Sequence, residues 1–170
     1  MKRNRRESGR ISQRHGADGE DVAHAVLVGM GILRVEKITA PYIRVLHPVD
    51  KRYCRVVQTG TVSGDRTGIL PGGRFVLVET KTRYGANLCW SDFDDHQPGD
   101  LTEHCNAGGV SLVVWVNDYG VNIMRWPIIG FDGPRKSITP ERARELDVLG
   151  RASIAYLIEQ ERQKLETGKT

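Results

Sequence analysis

Paired cysteines, long apolar runs, internal repeats and low-complexity blocks are all missing from this sequence, and each absence excludes something. The three cysteines, Cys54, Cys89 and Cys105, are odd in number, scattered and never in a CxxC spacing. Neither a disulfide framework nor a cysteine zinc site is expected, and a reduced, intracellular setting follows. No apolar stretch approaches the length of a bilayer span. The basic N-terminus is not followed by a secretory apolar region either, so a soluble cytoplasmic protein with no membrane partner is expected.

What is present is a chain of 170 residues with 39% hydrophobic content, enough for one compact domain with a real core. Lys and Arg number 25 against 21 Asp and Glu, a net charge of +4, and the pI is near 9.1. That balance favours a polyanionic partner. The charge is also unevenly placed. Lys2, Arg3, Arg5, Arg6, Arg10 and Arg14 are opposed only by Glu7 in a segment poor in apolar residues. Residues 1–15 are therefore expected to form a basic arm that either neutralises phosphates without reading sequence or is simply a solvated terminus.

The remainder, 16–170, is expected to be a single domain. DGEDVAHAVLVGM, residues 18–30, places Val22, Ala25, Val26 and Met30 at helical spacing, with acids in the first turn. Ile38 to Leu46 and Tyr53 to Val62 are β-branched and aromatic runs around the turn-like His47 to Lys51, which predicts a long antiparallel hairpin over about 38–62. RTGILPGG, residues 66–73, reads as a turn. RFVLVETK, residues 74–81, reads as a core strand that ends in Glu79 and Lys81 on one face. A short helix is expected from Pro98 to Asn106, a buried strand in SLVVWV (Ser111 to Val116), and a return strand over Val121 to Trp126 after Asn117-Asp118-Tyr119-Gly120. Thr139-Pro140-Glu141 opens a helix running to about Gln163, loosened at Gly150. The order predicts an α/β or α+β domain, a mixed central sheet flanked by helices.

A carboxylate and an ammonium closing a core strand are costly to bury without pairing or function. If the chain before RFVLVETK pairs with it, Asp65 comes beside Glu79. Two converging carboxylates need a cation between them, and all-oxygen ligation suits Mg²⁺, with Mn²⁺ able to substitute. The Thr80 carbonyl is a candidate third oxygen. Lys81 would hold or deprotonate a water that attacks a phosphodiester. On spacing alone, Glu79 and Lys81 are equally readable as an edge-strand ion pair.

GDRTGILPGGRFVLVETK, with its surroundings, resembles the PD-(D/E)xK nuclease core, and within it the RecU-like Holliday junction resolvases of bacteria and their phages. Four segments carry the resemblance in order: Gly16-x-x-x-Glu20; Lys37 with Pro41 ahead of the hairpin, the family's stalk; Asp65-Arg66-Thr67-Gly68 followed by Glu79-Thr80-Lys81; and His96-Gln97, Leu101, Gly108-Gly109 and SLVVWV. They cover most of residues 16 to 126. Thr80 stands where the family has alanine, and Gly64 where an apolar residue is common.

The resemblance implies a restriction-endonuclease-like fold and a homodimeric, Mg²⁺-dependent endonuclease that resolves four-way DNA junctions in a bacterial or phage-infected cell, with no small-molecule cofactor. It implies Asp65, Glu79, Thr80 and Glu20 around the metal, Lys81 at the water and Gln97 near the scissile phosphate. Arg83, and Lys37, Arg44, Lys51 and Arg52 on the hairpin, are expected phosphate contacts beside Arg3, Arg5, Arg6, Arg10 and Arg14 of the arm. His96 is expected to be structural, Asp92, Asp94 and Asp95 a solvated loop, and Trp90, Trp115 and Trp126 packing residues. The competing readings are a restriction-like or repair endonuclease on duplex DNA, a non-cutting architectural protein on a nuclease scaffold, and a plain domain with a surface ion pair.

Overall fold

The computed structural model describes residues 18–39, 42–46, 54–58 and 64–167. The basic arm, and with it Arg3, Arg5, Arg6, Arg10 and Arg14, lies outside the described residues, as do Lys51 and Arg52. Helix α1 spans 18–29. It is followed by strands β1 (Leu33–Lys37), β2 (Tyr42–Leu46), β3 (Cys54–Gln58), β4 (Arg66–Ile69), β5 (Phe75–Thr82) and the short β6 (Leu88–Cys89). Helix α2 (Gln97–Asn106), strands β7 (Val110–Asn117), β8 (Gly120–Arg125) and β9 (Ser137–Ile138), and helix α3 (Pro140–Thr167) complete the order.

Five strands form a mixed sheet in the order β1-β4-β5-β7-β8. Only β5 and β7 run parallel, and α2 provides the crossover between them. The molecule is thus an α+β domain with the mixed sheet and flanking helices that the sequence predicts. Alternation along the central strands sorts the core onto two faces. Val76 and Val78 of β5, with Leu112 and Val114 of β7, meet Ala23 and Leu27 of α1 and Ile154 and Leu157 of α3. Leu77, Val113 and Trp115 meet Leu101 of α2, Phe93, Trp126 and the first turns of α3 at Ala143 and Leu146. Trp90 packs on Phe93, Trp126 and Phe131, so all three tryptophans are packing residues.

Helix α3 therefore begins on one face of the sheet and ends on the other, crossing the edge strand β8 as it goes. Gly150 marks the crossing: a Cβ there would lie 2.2 Å from the Ile123 carbonyl oxygen. The helix is continuous, and the loosening expected at Gly150 does not occur; the glycine serves close approach instead. Asp147 accepts the Ile123 N–H at 2.7 Å and Arg151 donates to the Val121 carbonyl at 3.3 Å, so helix side chains satisfy backbone groups of the sheet's edge.

Three further expectations need correction. The fully buried stripe of α1 is Gly19, Ala23 and Leu27, with Val26 and Met30 packed beside it as expected, while Ala25 is exposed and Val22 is 43% exposed. The phase is set by contact: a Cβ on Gly19 would lie 2.0 Å from Thr82 Oγ1, so the helix presses its smallest residue against the end of β5. Residues 66–69 are a strand rather than a turn. Gly68 sits in β4 because Ile32 fills the space its side chain would take, 2.6 Å from a built Cβ, and the turn proper is confined to residues 70–73, where Gly72 and Gly73 adopt positive φ. The hairpin is present among the described residues, where β2 and β3 pair antiparallel from Tyr42↔Gln58 to Leu46↔Cys54 as a separate two-stranded sheet, while Ile38 and Thr39 are not strand and the rest of 38–62 lies outside the described residues. Lys37 is not on it but at the end of β1, in the main sheet. Arg44 lies on β2.

Candidate active site

The end of β5 carries the site. Arg66 pairs with Val78 across β4 and β5, so Asp65, one step earlier, faces Glu79. Backbone bonds fix that residue: its N–H donates to the Val78 carbonyl at 2.8 Å, and its carbonyl accepts the Ile38 N–H at 2.9 Å. Gly64 makes the approach possible, with φ +72 and a built Cβ only 2.8 Å from the Val78 oxygen. Gly64 is therefore what seats the aspartate. Asp65 Oδ2 accepts the Thr80 N–H at 2.7 Å. Val78 and Thr80, two residues apart on one strand, present their carbonyls to the same lateral side, so the Thr80 oxygen also points toward Asp65.

Glu79 is 1% exposed. One oxygen, Oε1, lies 2.7 Å from Lys81 Nζ; the other, Oε2, is buried with no hydrogen-bond partner. Burial, then the neighbouring Asp65 charge, push the Glu79 carboxyl up to about 7 against the pull of Lys81. Burial also raises Asp65, opposed by the Thr80 N–H and by Lys81. A buried, unpartnered carboxylate oxygen beside a second carboxylate is costly as it stands and fits a hard cation with oxygen ligands.

Lys81 is held on three sides. It bonds Glu79, donates to Gln97 Oε1 at 2.8 Å, and lies 4.7 Å from the centre of the Phe93 ring. Gln97 Oε1 also accepts the Asp94 N–H at 2.9 Å. With its oxygen doubly used, Gln97 has its NH₂ left for another acceptor. The fold thus brings Asp65, Glu79, Thr80, Lys81 and Gln97 together as neighbours.

Glu20 stands apart from that group. It is close enough for its charge to raise Asp65, yet its carboxylate is bonded to Lys37 at 2.6 Å. Among the described residues no three His, Cys, Asp or Glu side chains are grouped to hold a metal, so Glu20 does not join the two carboxylates as a third acid here. Arg83 pairs with Asp92. Asp92 Oδ2 also accepts the Cys89 N–H at 2.7 Å across a short 3-10 turn, so Asp92 is paired and largely covered rather than solvated. His96 stands at the N-terminal boundary of α2 without a side-chain capping bond, its Nε2 4.0 Å from Asp100 Oδ2.

Three participants escape sequence reasoning: Phe93 beneath Lys81, Asp94, whose charge also raises Glu79, and Arg66. The Arg66 side chain is 9% exposed and faces Glu20 at 3.9 Å and Asp21 at 3.7 Å. Its neighbours come from α1, 45 residues away in sequence, and nothing in DRTG announces them.

The chain matches no protein-family model and no curated protein. No described helix is long and apolar enough to cross a membrane.

Proposed function

We propose that this protein is a divalent-metal-dependent endodeoxyribonuclease that resolves four-way DNA junctions by paired nicks, acting as a homodimer. The observation that carries the reading is the orphaned, buried Glu79 Oε2 beside Asp65, with an anchored lysine in reach. Asp65, Glu79 and the Thr80 carbonyl would hold Mg²⁺ or Mn²⁺, which when bound supplies Lewis-acid polarisation of the phosphoryl oxygens. Lys81 has three N–H groups; Glu79 and Gln97 take two, and the third is free to orient the attacking water. The Gln97 NH₂ donates to a phosphate oxygen. A water oxygen bonds to phosphorus, the P–O3′ bond breaks and a water proton ends on the 3′ oxygen, leaving a 5′-phosphate and a 3′-hydroxyl.

Selection for a junction over a duplex rests on the separate β2–β3 hairpin, which suits a strand-lined junction centre, and on the symmetry of the substrate. A four-way junction has two-fold symmetry, and two equivalent nicks need two equivalent sites. The test is cleavage of a labelled synthetic four-way junction beside a matched linear duplex, with Mg²⁺ or with EDTA. Symmetric, metal-dependent nicks in the junction alone are expected. Equal cutting of both substrates would make the protein a general nuclease, and tight junction binding without cutting would make it an architectural one.

Gln97→Ala carries a separate expectation: turnover falls about 10²-fold, the scale for one lost donor to a reacting oxyanion, while junction affinity stays within about twofold because a single neutral contact contributes little to polyanion binding. An equal loss in binding and turnover would assign Gln97 to binding alone.

A further inference from the structure

Glu20 and Lys37 form one tight contact at the margin of the site. Lys37 Nζ lies 2.6 Å from Glu20 Oε2, and the lysine side chain is 57% exposed. Glu20 sits on α1 directly after Gly19, whose contact with Thr82 brings this carboxylate to the catalytic end of β5. Lys37 is the last residue of β1, five residues ahead of Tyr42, where the hairpin begins. The buried guanidinium of Arg66 faces the same carboxylate at 3.9 Å, beyond hydrogen-bond reach, and its Nε has no partner.

We propose that Lys37 is a latch: it holds Glu20 away from the Asp65–Glu79 site until a DNA phosphate takes the lysine, which frees Glu20 to complete the cation's ligands. The inference rests on the nuclease reading above and adds its regulation. An exposed lysine exchanges a carboxylate for a phosphate readily, because a solvated ion pair contributes little. Arg66 stays behind as a counter-charge facing the released Glu20. Position supplies the trigger, since DNA engaged by the hairpin approaches Lys37 along its own chain. By linkage, DNA then tightens cation binding and the cation tightens DNA binding by the same factor.

The test measures Mn²⁺ affinity of the full chain without DNA, by electron paramagnetic resonance of the free ion, for wild type, Lys37→Met, Glu20→Gln, the double variant and Asp65→Asn. Lys37→Met is expected to bind Mn²⁺ about fivefold more tightly than wild type, a gain on the scale of breaking one partly exposed pair. That gain should vanish when Glu20→Gln is added. An unchanged affinity in Lys37→Met overturns the latch, and so does a gain that persists in the double variant, which would be a general field effect. Junction binding by fluorescence anisotropy, in Ca²⁺ against EDTA, supplies the second reading: the tightening by Ca²⁺ should shrink about fivefold in Lys37→Met, and undiminished coupling overturns the trigger. Asp65→Asn separates the two hypotheses. Wild-type Mn²⁺ affinity in that variant would remove the metal site itself, whereas weakened binding there with no effect of Lys37→Met removes only the latch.

Discussion

Asp65→Asn is expected to lower junction cleavage by at least about 10³-fold and, in the same molecule, to stabilise the metal-free fold. Asparagine keeps the shape and a carbonyl oxygen to accept the Thr80 N–H, the 2.7 Å bond that ties Asp65 to β5, so local geometry survives. What disappears is the charge. Without it the cation loses one of its two central carboxylates, and several kcal/mol of transition-state charge stabilisation go with it. The same charge is the second cause, after burial, of the raised Glu79 carboxyl. Removing it relieves repulsion that only a cation otherwise relieves. A residue kept for folding would not give gain in stability with loss of activity. Cleavage within tenfold of wild type, measured with saturating Mg²⁺, would take Asp65 out of the site.

The second large effect is on pH dependence. The Glu79 carboxyl is held at about 7 in the fold against an ordinary 4.5. The folded protein therefore binds this proton more tightly than the unfolded chain does. Its contribution is fully present below about pH 4.5 and is lost as pH rises through 7, an amount on the order of 3 kcal/mol. Asp65 shifts in the same direction. In EDTA, the wild type is expected to lose roughly 6–12 °C of melting temperature between pH 5 and pH 8 relative to Glu79→Gln, whose amide does not titrate. Mg²⁺ should restore the wild type most at pH 8, where the carboxylate is ionised, and should do little for Glu79→Gln. Parallel melting curves for the two proteins across that range would show that Glu79 ionises normally.

Both effects come from RFVLVETK, and that stretch shows why part of the site was legible. Period-two alternation puts Leu77, Glu79 and Lys81 on one face whatever the rest of the chain does. Acids at the end of an apolar strand are conspicuous because their burial is expensive. Gln97 was legible only through the resemblance, and Glu20, expected to complete the metal site, is instead paired with Lys37 at its margin. The phase of α1 was misjudged in part: Val26 packs on the core as expected, but Val22 and Ala25 face solvent because Gly19, Ala23 and Leu27 take the innermost positions. Hydrophobicity cannot see that the helix approaches β5 closely enough to require a glycine beside Thr82. Likewise Gly68 and Gly150 read as breakers in sequence, whereas each is where another chain segment comes too near for a Cβ.

By itself the sequence determined the class of fold, the two-faced central strands, the carboxylate pair with its lysine, and the basic character of the chain, because these depend on alternation, composition and short spacings. Tertiary structure alone decided which residues neutralise which. Lys37 against Glu20, Arg66 buried beside the same acid, Phe93 under Lys81 and an unpartnered oxygen on Glu79 all join segments distant in the chain. Charge pairing falls off over a few ångströms and follows distance in space, so it is settled only when α1, β1, β4 and β5 have packed.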